Sequence, residues 1–283
     1  IISCKKGQSI KGGVVLIIEN DRQVVLDDLM IYNGVLFENN QEQKESRARA
    51  ERFKILQFII EELNMRFDNI KMSLSPEIED LRPFLWHNYE SKNSKNKYHL
   101  NLRYTSFIDI TDFFYKKDDE EIKIFNDLDN PRQGDLRKAN TSKLNFNESN
   151  DIKLFIETYK LMMNRHKIKI SNNTINRLDL LLTKLIDNKL AKMYYTSRED
   201  GQLSYATIFT YHLNKSVYLF GAGNKDLMER YDGTYCIWNA MKNLSNLGVH
   251  EVDMEGINSP ERGYYKLTFG GNIKPYFEVI FNN

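Results

Sequence analysis

The sequence predicts an α+β protein of two domains, each a mixed and mostly antiparallel β-sheet covered by helices. Segments with strand character occur near the start of the chain and again after residue 190, with turn signals such as Asn33-Gly34 and Asp200-Gly201 within or between them. Amphipathic segments with apolar residues at three- and four-residue steps separate the two groups. The length of 283 residues also exceeds the roughly 100–200 residues of one typical domain.

The first half of the chain opens with strands and continues with a long helix. Five segments have strand character: residues 12–19, 22–26, 30–37, 70–74 and 98–110. A helix is predicted from Arg47 onward, because apolar residues recur there at helical spacing: Phe53, Leu56, Ile59, Ile60, Leu63 and Phe67. We expect this helix to pack on the sheet.

A charged and turn-rich stretch then connects the two halves. We place the domain boundary near Asp127, which gives domains at residues 1–127 and 128–283. Three helices are predicted next, at residues 134–143, 152–166 and 175–188. The remaining elements are strands with one helix, which Gly248 ends: strands at residues 191–197, 203–213 and 217–222, the helix at 235–247, and a strand at 249–254.

Composition excludes several classes of protein. Lys and Arg number 40 against 39 Asp and Glu, so the net charge of +1 argues against a protein that coats nucleic acid. The longest apolar run, residues 14–18, is far shorter than the ~20 residues of a membrane span. Cys4, Cys236 and the five histidines show no metal-ligand spacing, so we expect no metal. A cytoplasmic location is the default, and no pattern specifies an oligomeric state.

Glycines and a helix start suggest a site for an anionic ligand in the second half. A predicted strand ends in Gly221-Ala222-Gly223, and a loop that contains Arg230, Gly233 and Thr234 leads into the next helix. Glycines let a ligand approach backbone N–H groups, and the start of a helix presents unpaired N–H groups to an anion. The pattern therefore suggests a pyrophosphate site. The alternative is that these are ordinary turn glycines.

The strongest motif is the run EGINSPERGYYKLTFGG at residues 255–271. It resembles the C-terminal signature of the Fem-type and related transferases that are built from two GNAT-like domains. That signature has an acidic residue and glycine, a variable loop, an aromatic-Lys pair and Phe-Gly-Gly. The upstream run DLRKA at residues 135–139 is similar to the basic segment that opens the second domain of that group. The resemblance covers roughly residues 135–275 and is only suggestive before them.

This resemblance implies a tandem GNAT-like fold and acyl transfer to an amine. The Asn-Ser-Pro-x-Arg-Gly loop looks most like the nucleotide-sugar N-acyltransferases. The implied co-substrate is a coenzyme A thioester, either acetyl-CoA or a short acyl-CoA. The implied partner is a nucleotide-linked amino sugar, such as a dTDP-amino-dideoxyhexose, used in the synthesis of lipopolysaccharide O-antigen or another surface polysaccharide. The alternatives are a Fem-type aminoacyl-tRNA-dependent transferase of peptidoglycan synthesis and a non-catalytic tandem-GNAT binding protein.

The same resemblance implies which residues bind the coenzyme A donor. GNAT enzymes hold the CoA pyrophosphate with Gln/Arg-x-x-Gly-x-Gly/Ala, and Arg230, Gly233 and Thr234 lie in the matching run, which departs from the pattern at Tyr235. Gly221 and Ala222 are expected to offer backbone N–H groups to the thioester carbonyl. The near-neutral charge gives no obvious surface for transfer RNA.

Catalytic residues are expected on the strand that precedes the motif. Alternation places Glu251, Asp253 and Glu255 on one strand face, so Asp253 or Glu255 is the candidate base. Tyr265 is the candidate proton donor to the leaving sulfur, with Tyr264 beside it. The alternatives are that the carboxylates are solvated or bond nearby cations, and that the tyrosines serve packing.

Substrate-binding residues come from three segments. Lys266 matches the family lysine that faces the substrate cleft, and a cation there suits a phosphate or a developing negative charge. Arg137 is a further phosphate candidate, unless it is simply solvated. Trp86 and Tyr89 are candidates for stacking on a base, and the alternative for them is a packing role.

Overall fold

The structure, a computed structural model, describes residues 1–38, 43–116 and 118–282, and of Ser94 only the backbone. The chain forms two compact units. One comprises Ile1–Tyr104 with Lys274–Asn283, and the other comprises Thr105–Ile273. This division differs from the predicted boundary near Asp127: it falls within the strand His99–Asp109, and the last strand of the chain belongs mostly to the first unit.

The first unit is a sheet-and-helix assembly around one long helix. Its elements, in chain order, are β1 (Ile2–Lys6), β2 (Ser9–Val15), β3 (Ile17–Glu19), β4 (Gln23–Val25), β5 (Gly34–Phe37), α1 (Glu45–Arg66), β6 (Asn69–Ser73), α2 (Arg82–Trp86), β7 (His99–Asp109) and, near the end of the chain, β13 (Asn272–Asn282). Strands β1, β2 and β5 form a three-stranded antiparallel sheet, and β3, β4, β6, β13 and β7 are neighbours in that order.

Helix α1 provides much of the core of this unit. Ile55, Ile59 and Leu63 follow one another at four-residue steps and are almost fully buried. The apolar spacing predicts Ile59 and Leu63 but not Ile55, and burying each such side chain contributes about 1.5–3 kcal/mol. The predicted helix from Arg47 is therefore present and begins two residues earlier, at Glu45.

The second unit contains most of the helices of the described chain. Its elements after β7 are α3 (Asp112–Tyr115), α4 (Lys123–Asp127), α5 (Asn130–Asn140), β8 (Asn145–Ser149), α6 (Ile152–Arg165), α7 (Asn172–Asp187), β9 (Ala191–Ser197), β10 (Leu203–His212), β11 (Lys215–Gly223), α8 (Asp232–Asn246), β12 (Glu251–Asp253) and α9 (Pro260–Leu267). The strand order is β7, β12, β11, β10, β9, β8, and only β11 and β12 run parallel to each other. The core surrounds Trp238 of α8, whose ring meets that of Phe113 edge-on at 4.7 Å.

The parallel pair of strands separates soon after it begins. Lys215–Val217 of β11 pairs with Glu251–Asp253 of β12, and in the described chain β11 then continues alone on that side to Gly223. The backbone turns at Glu255, whose φ of 61° is left-handed. The residues after β12 therefore leave the line of the strand and carry their side chains to a different place from the one that alternation predicts.

The α+β prediction is confirmed, with differences in individual elements. Strand 249–254 is shortened to Glu251–Asp253, and helix 134–143 is α5, which starts at Asn130 with a proline in its first turn. The sequence analysis missed the strands β1, β8 and β13 and the helices α2, α3, α4 and α9. Among the helices in the described part of the chain, none combines the length and the apolarity that crossing a bilayer requires.

Candidate functional site

A buried lysine marks the candidate site in the second unit. Lys266 on α9 is 7% exposed, and its Nζ lies 2.8 Å from Oε2 of Glu255 and 3.4 Å from the carbonyl oxygen of Gly256. The same ammonium group lies 5.4 Å from the ring centre of Tyr218. A lysine is rarely so buried unless it is paired, and here a carboxylate and an aromatic face stabilise the charge.

Close packing of α9 on the preceding loop creates this arrangement. Pro260 begins the helix, where its missing N–H costs nothing. A Cβ at Gly263 would collide with the backbone of Ile257, so only glycine lets the helix lie this close. Lys266 is one turn further along and therefore reaches back to Glu255 and Gly256.

Asp253 has bonds that fix the local backbone. It is 4% exposed, and its Oδ1 accepts hydrogen bonds from the hydroxyl of Thr105 on β7 and, at 2.8 Å, from the backbone N–H of Glu255. The carboxylate thus joins β7 to the left-handed turn after β12. Glu255 does not continue the strand face of Asp253 as alternation predicts, and pairs with Lys266 instead. Whether either carboxylate acts as the base stays a prediction.

Two tyrosine hydroxyls meet at Gly221. The hydroxyl oxygens of Tyr205 and Tyr218 are 3.0 Å apart, and a Cβ added at Gly221 would lie closer than 3.0 Å to both of them. Burial raises the pKa of Tyr218 to about 12 and raises that of Tyr205 as well, so both remain O–H donors at neutral pH. The two hydroxyls therefore contact the backbone of β11 at Gly221.

A β-bulge explains why sequence reasoning missed these tyrosines. Consecutive residues Ile208 and Phe209 of β10 pair with Phe220 and Tyr218 of β11, so β11 carries one extra residue, Leu219. In a regular strand, residues three apart point to opposite faces, but one inserted residue brings them to the same face. The signal in the sequence is the three-residue step between Tyr218 and Gly221, which has meaning only once the bulge is known.

The other glycine-rich positions are also filled by the chain itself. A Cβ at Gly223 would meet Sδ of Met228 at 2.5 Å, and one at Gly233 would meet the ring of Tyr205 and the hydroxyl oxygen of Tyr265, each at 3.1 Å. Ala222 is fully buried and pairs with a residue of β10. The binding roles of Gly221, Ala222 and Gly233 stay predictions. In the structure, the close contacts at the glycines are made by tyrosine and methionine side chains of this chain.

The start of α8 contains both arginines and carboxylates. Asp232, the first residue of the helix, is fully buried, and its Oδ2 accepts from Nη2 of Arg198 at 2.8 Å. Burial raises the pKa of Asp232. Arg198 also donates to the carbonyl oxygen of Leu227, at 2.9 and 2.7 Å, and so ties down the loop before the helix.

A second carboxylate lies at the same helix end. Asp135 of α5 accepts from the hydroxyl of Thr234 at 3.2 Å and from Arg132 at 2.7 Å. Arg230 is 67% exposed in its side chain, and its Nε lies 3.5 Å from Oδ1 of Asp135. Arg230 and Thr234 thus contact the same carboxylate, and their role in binding a phosphate stays a prediction. The Thr234 hydroxyl already makes hydrogen bonds to side chains of this chain.

The predicted proton donor is packed between ring and cation. Tyr265 meets Phe269 edge-on at 5.5 Å, and the guanidinium of Arg132 lies 5.0 Å from its ring centre. Burial raises the pKa of Tyr265. Tyr264 is 68% exposed. The catalytic role of Tyr265 stays a prediction, and its packing matches the alternative reading.

The remaining substrate candidates are Arg137, Trp86 and Tyr89. Arg137 is exposed near the end of α5 and pairs with Glu120 at 3.1 Å. Trp86 and Tyr89 belong to the first unit, and Trp86 meets the ring of Phe53 edge-on at 5.6 Å while half of its surface stays exposed. Substrate binding by these three side chains stays a prediction.

Comparison with known proteins identifies the fold. The chain superposes on FemX with a TM-score of 0.62 at 13% identity, covering 97% of this chain and 86% of FemX. It superposes on a tandem GNAT protein from the clavulanic acid biosynthesis pathway with a TM-score of 0.52 at 9% identity, covering 98% of this chain and 80% of that one. The chain has a tandem GNAT fold.

Other comparisons add fold evidence only. L-PGS from Bacillus licheniformis matches with a TM-score of 0.55 at 8% identity, over 96% of this chain and 82% of its own. No protein-family model and no curated protein matches the sequence. At such low identities the tandem GNAT fold is established, and the reaction has to be argued from the site.

Proposed function

We propose that this chain is a transferase that moves an acyl group from an activated donor to an amine. The observation that carries the proposal is the buried Lys266–Glu255 pair, which lies against Tyr218 where β11 continues past its last pairing with β12. An ammonium group, a carboxylate and two neutral tyrosine hydroxyls therefore lie together at one strand end. The tandem GNAT fold of the similar proteins supports the same class of reaction.

These residues match what amide formation requires. An amine that attacks a carbonyl creates a tetrahedral oxyanion, and hydrogen-bond donors that are fixed beforehand stabilise it. Burial keeps the hydroxyls of Tyr205 and Tyr218 protonated, and since one of them donates to the other, the pair offers one such donor. Lys266 adds positive charge beside Tyr218, and Glu255, one-third exposed, is placed to accept the proton that the amine loses.

For the donor we propose an acyl-CoA thioester, and for the acceptor a nucleotide-linked amino sugar. A CoA thioester supplies an activated carbonyl when bound. Arg230 would contribute to holding its pyrophosphate, because this guanidinium is largely exposed and only loosely paired with Asp135. The reacting carbonyl would have to lie beside the two tyrosine hydroxyls, because these hydroxyls fill the space next to Gly221.

A second donor, an aminoacyl-tRNA, is favoured by the carboxylates at the start of α8. Asp232 and Asp135 engage Arg198 and Arg132 there, which leaves Arg230 as the loosely paired arginine of this cluster. Fixed carboxylates at a helix start oppose the binding of a phosphate to it. An aminoacyl-tRNA would not need a pyrophosphate site at the start of α8, so these carboxylates would not oppose its binding.

A transfer assay with both donors tests the proposal. Purified protein is incubated with acetyl-CoA or with aminoacyl-tRNA and a panel of amino-sugar nucleotides, and acylated product is measured by mass spectrometry. Lys266→Met should reduce turnover by about a hundredfold or more. Lys143→Met, which replaces a lysine that is 79% exposed in the same unit, should leave it unchanged.

The outcomes separate the two donors. Product from acetyl-CoA, together with weaker CoA binding in Arg230→Gln, supports the thioester donor. Product from aminoacyl-tRNA alone supports the second donor. Full turnover in Lys266→Met with either donor would show that the site is not where we place it.

A further inference from the structure

A cavity in the first unit is not used by the proposed transfer reaction. Its volume is about 430 Å³, and it lies between the β1–β2 hairpin and α1. Residues from α1 that line it recur at steps of four, three and four, which places them on one stripe of the helix: Arg47, Glu51, Lys54 and Phe58. Cys4 and Lys6, two apart on β1, face the same cavity.

Positive charge is in excess around this cavity. Four cationic side chains line it: Lys6, Lys11, Arg47 and Lys54. Nζ of Lys6 lies 3.4 Å from Glu51, and Nζ of Lys11 lies 2.5 Å from Glu38. A hydrogen bond from Gln43 lowers the pKa of Glu51, so this carboxylate is ionised. Among the residues that the structure describes, four cations against two carboxylates leave two positive charges for an anion.

Apolar surface accompanies this charge. Ile55, 6% exposed, lines the cavity together with the half-buried thiol of Cys4. Phe58 is 40% exposed, although an aromatic ring gains by leaving water. Phe58 lies eleven positions after Arg47 on the helix, which is about 16 Å along the axis at 1.5 Å per residue. The cavity therefore offers a long ligand both cations and an apolar wall.

We propose that this cavity binds an amphipathic phosphate, with the phosphate at Arg47 and Lys54 and the apolar part against Ile55 and Phe58. A dianionic phosphate matches the two excess positive charges, and an arginine with a lysine is a common phosphate-binding pair. A cavity of this size falls in the range of roughly 300–1,000 Å³ that holds small ligands. A phospholipid headgroup and a free phosphorylated metabolite share this chemistry.

Cys4 provides a probe located inside the cavity. The chain has two cysteines, and Cys236 is fully buried, so a maleimide should modify Cys4 in the folded protein. Burial raises the pKa of the Cys4 thiol, so its modification is slow enough to follow by mass spectrometry. A ligand in the cavity should slow it further.

The experiment titrates alkyl phosphates of increasing length against Cys4 modification. At saturation, hexyl phosphate should slow the modification of Cys4 at least fivefold. Along the series that starts at methyl phosphate, each further buried methylene should tighten binding about threefold. Lys54→Gln should weaken the binding of hexyl phosphate about tenfold. Lys71→Gln, at an exposed lysine on β6 of the same unit, is the matched control and should not change it.

Phe58→Ala and vesicles complete the test. Phe58→Ala should reduce the dependence on chain length while leaving methyl phosphate binding unchanged. Protection of Cys4 by phosphatidylglycerol vesicles, competed by hexyl phosphate, would identify a lipid headgroup as the source, and protection by hexyl phosphate alone would identify a soluble metabolite. No protection at millimolar hexyl phosphate, equal protection by inorganic phosphate, or an equal loss in Lys71→Gln would overturn the proposal.

Discussion

Replacing Asp253 with alanine and with asparagine distinguishes a positioning carboxylate from a catalytic base. One oxygen of Asp253 accepts from the Thr105 hydroxyl and from the N–H of Glu255. Asparagine keeps an acceptor oxygen at this position but has no basic carboxylate, whereas alanine removes both properties. The two substitutions therefore change hydrogen bonding and basicity separately.

The size of each effect follows from burial. Thr105 is fully buried, so Asp253→Ala leaves its hydroxyl and the neighbouring N–H without this acceptor, at a cost of about 2–4 kcal/mol. For a protein of 283 residues that corresponds to a fall in thermal midpoint of roughly 3–7 °C. Asp253→Asn should cost only about 1 kcal/mol, because charge is lost and the acceptor is kept.

Circular dichroism melting and the transfer assay are measured on both variants. If Asp253 only positions the Glu255 turn, Asp253→Asn should retain most of the activity and Asp253→Ala should lose both activity and stability. Loss of turnover in Asp253→Asn with a nearly unchanged midpoint would identify the base instead. An unchanged midpoint in Asp253→Ala would refute our account of how the turn is held.

Three further predictions concern backbone strain, pH and the tyrosine pair. Gly248→Ala should cost about 1 kcal/mol in urea unfolding, because φ is 86° but the space is open. Gly270→Ala should cost about 1–3 kcal/mol more, since its Cβ would also meet the backbone of residue 127 at 2.6 Å. Arg22→Gln should lower the thermal midpoint at pH 7, because hydrogen bonds from Arg22 lower the pKa of the folded Asp68 carboxyl below its ordinary 3.8. This stabilisation is present above pH 3.8 and is lost as pH falls through the lower folded-state pKa, so the difference between the two midpoints should vanish there; a constant difference would contradict it. Tyr218→Phe should reduce kcat about tenfold or more, and because the pKa of Tyr218 is about 12, the parent pH–rate profile should show no titration of this hydroxyl below about pH 10.

The α+β fold could be predicted because its main elements carry local signals. Helix α1 has buried apolar residues at helical spacing, among them Leu56, Ile59 and Leu63, and β9 and β10 are rich in aromatic residues and threonine. Strand β13 was missed because it contains Pro275 and follows two glycines, which locally read as a turn. What places it is pairing with β6, a contact across two hundred residues of sequence.

The candidate site was predictable in its residue types and less so in its geometry. Lys266 and Glu255 belong to one motif, but their pairing depends on the left-handed backbone of Glu255 and on the packing of α9. Tyr205 and Tyr218 escaped notice because only a bulge brings Tyr218 to the face of Gly221. Features of this kind are decided by register and packing, which single-residue patterns do not encode.

The three cations expected at a phosphate site are held in two different ways. Arg137 and Arg230 are 57% and 67% exposed, and their carboxylate partners lie at 3.1 and 3.5 Å. Exposed pairs of this kind contribute little, so either arginine can exchange its carboxylate for a phosphate at low cost. Lys266 is 9% exposed in its side chain and lies 2.8 Å from Glu255, and separating the two leaves the buried ammonium group poorly solvated. An anionic substrate is therefore best recruited by the two arginines, while Lys266 keeps its carboxylate partner and acts on charge that develops beside it.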